Sequence, residues 1–253
     1  MTVKELYAHL NDMIPTSLSC EWDNDGLMCC PDASAPVRRV LVALDVTEDT
    51  VNAAIKGEYD LIVSHHPLVF KGIKHINDGD SVARKLLALI KNGVSVFSFH
   101  TRLDALSGGV NDTLADVLGI ENAVAFGEEG IGRIGYLPEP LGACELAKQA
   151  KTALGADGVY LSDAGIPCRR VAVLGGGGGD DLGAAIAAGA DTYVTGELKY
   201  HQLVDAPELG INLIEAGHYF TEQPICSVLA RMIRAVDPDI ACDVIQSNKI
   251  QLI

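Results

Sequence analysis

Two segments, RRVLVALD at 38–45 and RRVAVLGG at 169–176, read as strands that are apolar on both faces. Such strands lie inside a sheet covered on each side, the situation of parallel sheets packed between helices. Each leads through a helix to a second strand, YDLIVSH (59–65) in one case and ADTYVTG (190–196) in the other. One offset of 131 positions relates both pairs, carrying Ser64 onto Thr195 and His66 onto Glu197. Equal spacing over two strands and a helix points to one plan used twice.

The rest of the chain keeps the alternation. Residues 2–14 read as a helix ended near Pro15, and Thr47 caps another through Val51, Ala54 and Ile55. SVARKLLALIK (81–91) is a helix stopped by Asn92-Gly93, followed by the strand VSVFSFH (94–100) and the helix GVNDTLADVLG (109–119). Later come helices over 141–155, 181–189 and 224–235 and the strand INLIEAGH (211–218). Strands alternating with helices predict an α/β fold: two similar three-layer α/β/α halves related by internal duplication, over 1–126 and 127–253.

The chemistry gathers where strands end. His65-His66 close YDLIVSHH; His100 is followed four residues later by Asp104, and His218 by Glu222. Open α/β sheets place ligands beyond the carboxyl ends of their strands, so all three clusters are expected in one crevice between the halves. Imidazole and carboxylate form the donor set for Zn, Fe, Mn or Ni. Neighbouring residues on an extended strand point to opposite sides, so His65 and His66 are expected to face different ions. That suits a dinuclear site, in which two metals polarise a water and a substrate oxygen, with Asp104 or Glu222 bridging. Gly175 to Gly179 follow a strand and precede a helix, but lack the Lys-Ser/Thr of a Walker phosphate loop. A tight turn is the favoured role there, with backbone amides offered to an anionic substrate as the alternative. Glu197, Lys199, Tyr200 and His201 in GELKYHQ read equally as site neighbours or as a solvated loop.

Composition narrows the options. A net charge of −15 disfavours nucleic acid and favours cations. The seven cysteines form no CxxC pair, so neither a disulfide framework nor a zinc ribbon is indicated. MTVKELYAHL lacks the apolar run of a secretion signal, and no apolar stretch reaches membrane-spanning length. A soluble, cytoplasmic protein with no membrane partner is expected.

EWDNDGL (21–27), SHHPLVF (64–70), HTRLDALSGGVNDTLADVLG (100–119), GADTYVTGELKYH (189–201) and AGHYFTE (216–222) resemble, in this order, the motifs of the NIF-three-like dinuclear metal-centre family. Its members are often called GTP cyclohydrolase I type 2 homologues. The resemblance spans nearly the whole chain and implies the NIF-three-like fold without the domain some members insert between the halves. It implies two divalent ions per subunit on His65, His66, Asp104, His218 and Glu222. His100 would be a neighbouring group that orients water or ligand, with Glu222 and His100 as the catalytic pair. It also implies a toroidal homohexamer. Tyr219-Phe220 depart from the family, many of whose members carry a smaller or a second His-type residue there.

Three functions follow as alternatives. The first is a metal-dependent hydrolase of a small molecule, GTP ring opening or phosphoester cleavage. The second is metal storage or delivery, and the third a metal-stabilised oligomeric scaffold without catalysis.

Overall fold

The computed structural model describes residues 1–253. The chain opens with α1 (Val3–Met13), β1 (Gly26–Cys29), β2 (Arg39–Ala43), α2 (Glu48–Lys56) and β3 (Leu61–Ser64). There follow α3 (Ser81–Lys91), β4 (Ser95–Ser98), α4 (Thr101–Ala105), α5 (Val110–Val117), β5 (Glu121–Phe126) and β6 (Gly132–Leu141). Next come α6 (Ala143–Leu154), β7 (Tyr160–Ser162), β8 (Cys168–Leu174), α7 (Leu182–Ala187), β9 (Thr192–Thr195) and α8 (Tyr200–Leu209). The chain ends with β10 (Asn212–Glu215), α9 (His218–Glu222), α10 (Ile225–Val236) and β11 (Ala241–Val244). Helix boundaries follow side-chain chemistry. Thr2 and Glu5 form a reciprocal cap on α1, Thr47 accepts from the Thr50 amide at α2, and Asp80 accepts from the Ala83 amide at α3. No helix is long and apolar enough to cross a membrane.

The chain forms two compact units, Met1–Leu103 with Ile225–Asn248, and Asp104–Pro224 with Lys249–Ile253. These are not the contiguous stretches 1–126 and 127–253. The break falls inside α4, and α10 and β11 return to the first unit. The reason is pairing: β11 adds in parallel to β2, Ala241 opposite Arg39 through Val244 opposite Val42. The α10 crossover buries Ile225, Val228, Leu229 and Ile233 on its way.

In the first unit the sheet order is β1-β4-β3-β2-β11, parallel except for β1. Leu41, Ile62 and Val96 pack with Val51 and Ala54 of α2 and Leu86 and Leu89 of α3. On the same strands Val40, Val42, Leu61, Val63 and Phe97 are also buried, and α10 packs on β2 and β11 and against α1. In the second unit the order is β5-β6-β8-β9-β10-β7, with β8, β9 and β10 parallel. Val171, Val173, Val194 and Ile214 pack with α5 and α6, and Ala172, Leu174, Tyr193 and Leu213 with α7 and α8. Alternate residues serving opposite helical layers are the period-two rule of strands.

The repeat is visible in the register. In the first unit Val40 lies opposite Leu61 and Ala43 opposite Ser64. The offset of 131 turns these into Val171 opposite Thr192 and Leu174 opposite Thr195, the pairing found in the second. β4 and β10 pair likewise, Ser98 opposite Ser64 and Glu215 opposite Thr195.

Candidate metal centre

In the first unit, β3 and β4 end side by side and release His65, His66 and His100 at the carboxyl edge of the sheet. His65 and His66 lie in a bend just past Ser64, not on extended backbone. Their rings are 4.9 Å apart, and both lie close to His100, at 5.3 and 5.7 Å. One potential ligand atom from each of the three lies within 4.8 Å of the others. Ser64 stabilises the bend, its hydroxyl donating to the His66 carbonyl at 2.9 Å.

Each ring is anchored through Nδ1. The buried His65 donates to the Phe99 carbonyl at 2.9 Å. His66 meets Asp45 Oδ1 at 2.7 Å, and His100 meets Asp23 Oδ1 at 2.9 Å. A carbonyl only accepts, so the His65 proton sits on Nδ1 and Nε2 carries the lone pair of the neutral ring. The carboxylates favour the same tautomer in His66 and His100. Anchoring of this kind orients an imidazole and raises its basicity as a metal ligand.

Asp23 is the most heavily used acid of this unit. Its other oxygen accepts from the Thr101 amide at 3.0 Å and hydroxyl at 2.7 Å. Burial works to raise its carboxyl pKa, but the hydrogen bonds from His100 and Thr101 outweigh burial and hold it well below the usual carboxylate range. Asp25, two residues on, pairs at 3.0 Å with the fully buried Arg102, which also donates to Asn11 and the Ile14 carbonyl. The EWDNDGL segment thus fixes the start of α4.

In the second unit, Asp104, His218 and Glu222 carry the candidate donors. The short helix α9 places His218 and Glu222 one turn apart, Nε2 to Oε2 3.1 Å, with Glu222 buried. Glu197 meets the other nitrogen of His218 at 3.1 Å. Asp104 and Glu222 offer carboxylate oxygens within 4.8 Å of each other. The end of α4, which carries Asp104, is held by the buried Arg133, which takes the carbonyls of Ala105 and Leu106 while pairing with Asp112 at 2.7 Å.

The glycine run resolves into a close approach. The amides of Gly175, Gly176 and Gly178 donate to Asn111 Oδ1, Thr221 Oγ1 and Thr195 Oγ1 at 2.8, 3.0 and 3.2 Å. These three amides are spent inside the protein rather than offered to an anion. Gly176 has φ of +67°, and a Cβ there would lie 2.1 Å from Glu222 Oε1 and 3.1 Å from His218 Nε2. Glycine lets the loop pass against the acid and the imidazole of α9.

Of the residues marked from sequence, the structure gathers His65, His66 and His100 in one unit and Asp104, His218 and Glu222 in the other. GELKYHQ is not a loop throughout: Tyr200 and His201 begin α8 and are exposed, and Lys199 pairs with Asp180. Sequence reasoning missed Asp23 and Asp45 as anchors. Asp45 closes the strand RRVLVALD at the same sheet edge as His66, which is the signal that marks it.

Fold and side chains define an α/β protein with a candidate metal centre built from imidazole and carboxylate. Residues 1–251 match the family described as Duf34/NIF3 (NGG1p interacting factor 3). A Clostridium perfringens protein named GTP cyclohydrolase 1 type 2 homolog is 32% identical over 248 residues, covering 95% of this chain and 94% of the relative. A Schizosaccharomyces pombe protein named Protein NIF3 homolog is 34% identical, covering 81% of this chain and 79% of the relative. The solved structure of Staphylococcus aureus hypothetical protein SA1388 superposes with a TM-score of 0.89 at 27% identity, covering 100% and 99% of the two chains. The chain belongs to the Duf34/NIF3 family.

Proposed function

We propose that His65, His66, Asp104, His218 and Glu222 together hold two divalent ions, and that the protein is a metal-dependent hydrolase of a small electrophilic substrate. The observation that carries this reading is the anchoring of each first-unit imidazole through Nδ1, together with the carboxylate pair of the second unit. The donor set fits Zn, Fe, Mn or Ni and holds no thiolate, as suits an exchangeable or catalytic site rather than a closed structural one. Bound ions of this kind lower the pKa of water and polarise a carbonyl or phosphoryl oxygen. His100, fixed by Asp23, is the group to orient or accept a proton, and Glu222, buried beside His218, the group to hold one. The relatives' name supports GTP as a first substrate, with ring opening as the reaction, and phosphoesters as the second class to try. The protein is proposed to act as a cytoplasmic, toroidal homohexamer.

The test is reconstitution of chelated protein with each metal, followed by turnover assays on GTP, other nucleotides and phosphoesters. Turnover that Glu222→Gln abolishes, with the oligomer intact, supports hydrolysis. Bound, rapidly exchanging metal with no turnover on any substrate replaces it with storage or delivery. Collapse of the oligomer on chelation, again without turnover, replaces it with the scaffold.

A further inference from the structure

The only tryptophan of the chain, Trp22, is 59% exposed although its neighbours are fixed. Asp23 is locked onto His100 and Thr101, and the Asn24 side chain donates to the Val69 carbonyl. That second bond ties the tryptophan loop to Phe70, itself 45% exposed. The two rings stand edge to face at 6.3 Å. Both also flank the imidazole of His100, at 6.3 and 6.1 Å. Large aromatic side chains that stay this exposed while their backbones are held in place are preorganised to bind a further partner.

Phe70 also lines a cleft of about 660 Å³, within the size range of small-molecule sites. Its wall carries Lys71, Lys74 and His75, all exposed. Two lysines within four residues, Lys71 and Lys74, supply cationic groups on this wall in a chain of net charge −15. Asp80 shares the wall, its carboxylate accepting from the Ala83 amide at the start of α3.

We propose that Trp22 and Phe70 form a stacking subsite for a flat heteroaromatic ring, and that Lys71 and Lys74 bind an anionic group, phosphate or carboxylate, carried by the same molecule. The subsite lies beside His100 and so rests on, and deepens, the hydrolase reading: it names what the substrate must look like. Stacking on aromatic faces tolerates many rings, so selectivity falls to the anionic end.

The single tryptophan makes the test direct. Chelated protein is titrated with a purine nucleoside 5′-monophosphate, its nucleoside, inorganic phosphate and quinoline-2-carboxylate while Trp22 emission is followed. The monophosphate and the quinoline carboxylate are expected to quench, each at least tenfold more tightly than the nucleoside; phosphate alone is expected not to quench. Phe70→Ala should weaken both ligands about tenfold. Lys71→Gln/Lys74→Gln should weaken the anionic ligands by a similar factor and leave the nucleoside unchanged. Calorimetry on Trp22→Ala provides the readout that does not depend on the fluorophore, with binding lost. Absence of quenching by every aromatic ligand overturns the subsite. So does a buried-type emission in the free protein with loss of the oligomer in Trp22→Ala, which would assign these rings to a second copy of the chain. Quenching without turnover in metal-loaded protein keeps the subsite and sinks hydrolysis. Turnover that none of these variants changes keeps hydrolysis and sinks the subsite.

Discussion

Gly176→Ala is the sharpest perturbation the structure offers. The added methyl would lie 2.1 Å from Glu222 Oε1, so the carboxylate must retreat by about 1 Å to reach van der Waals contact. It has little room, since the Glu222 side chain is 6% exposed. At φ of +67°, an L side chain adds about 1–2 kcal/mol of left-handed strain. Loss of unfolded-state freedom offsets about 0.4–1 kcal/mol of that. The expected outcome is a destabilisation of about 1–3 kcal/mol, in the range typical of strained single substitutions, and a metal affinity about 10–100-fold lower, as when a supporting contact of a ligand is lost. Gly177→Ala is the control: its Cβ would meet nothing nearer than 3.8 Å, at φ of −86°. Calorimetric titration of chelated protein with Zn(II) or Mn(II), beside urea denaturation, measures both quantities. Unchanged binding in Gly176→Ala, or equal losses in the two variants, would refute the argument that this glycine exists to admit Glu222.

Other outcomes follow from the anchors. Arg102→Met leaves Asp25, 5% exposed, buried without its guanidinium; breaking such a pair costs about 3–5 kcal/mol, read as a large drop in urea midpoint. Asp45→Ala removes the acceptor that fixes His66 and should weaken metal binding about 10–100-fold; its side chain is 40% exposed, so thermal stability should change little. Asp23 supplies an acid-sensitive contribution. Its folded pKa is depressed, so that contribution is complete above its unfolded value of about 3.9 and disappears as pH falls below it. The stability gap between wild type and Asp23→Asn, followed by urea denaturation, should therefore narrow as pH is lowered through this range; a constant gap would contradict the assignment.

The central strands and their helices are legible because burial on both faces and side-chain caps are written locally. SVARKLLALIK spans α3, and RRVLVALD and RRVAVLGG supply β2 and most of β8 in matching register. What escaped is short, exposed or nonlocal. β5 buries only Phe126 and β7 has three residues, so neither shows an apolar period. α8 hides behind an internal Pro207, and α4 and α9 are five-residue helices too brief for periodicity, although they carry Asp104, His218 and Glu222. The return of α10 and β11 to the first sheet is a matter of pairing partners, which no window of sequence contains. The histidines and acids could be singled out by type and position. The anchor Asp23 could not, because it reaches His100 across 77 positions.

The most direct test of the central claim is the stoichiometry of divalent metal on chelated and reconstituted protein at neutral pH. Two ions per chain in the wild type are expected, with fewer in His65→Ala and in Glu222→Gln. A folded wild-type protein that retains no divalent ion, or variants that load as fully as it does, would contradict the claim that these imidazoles and carboxylates are metal ligands.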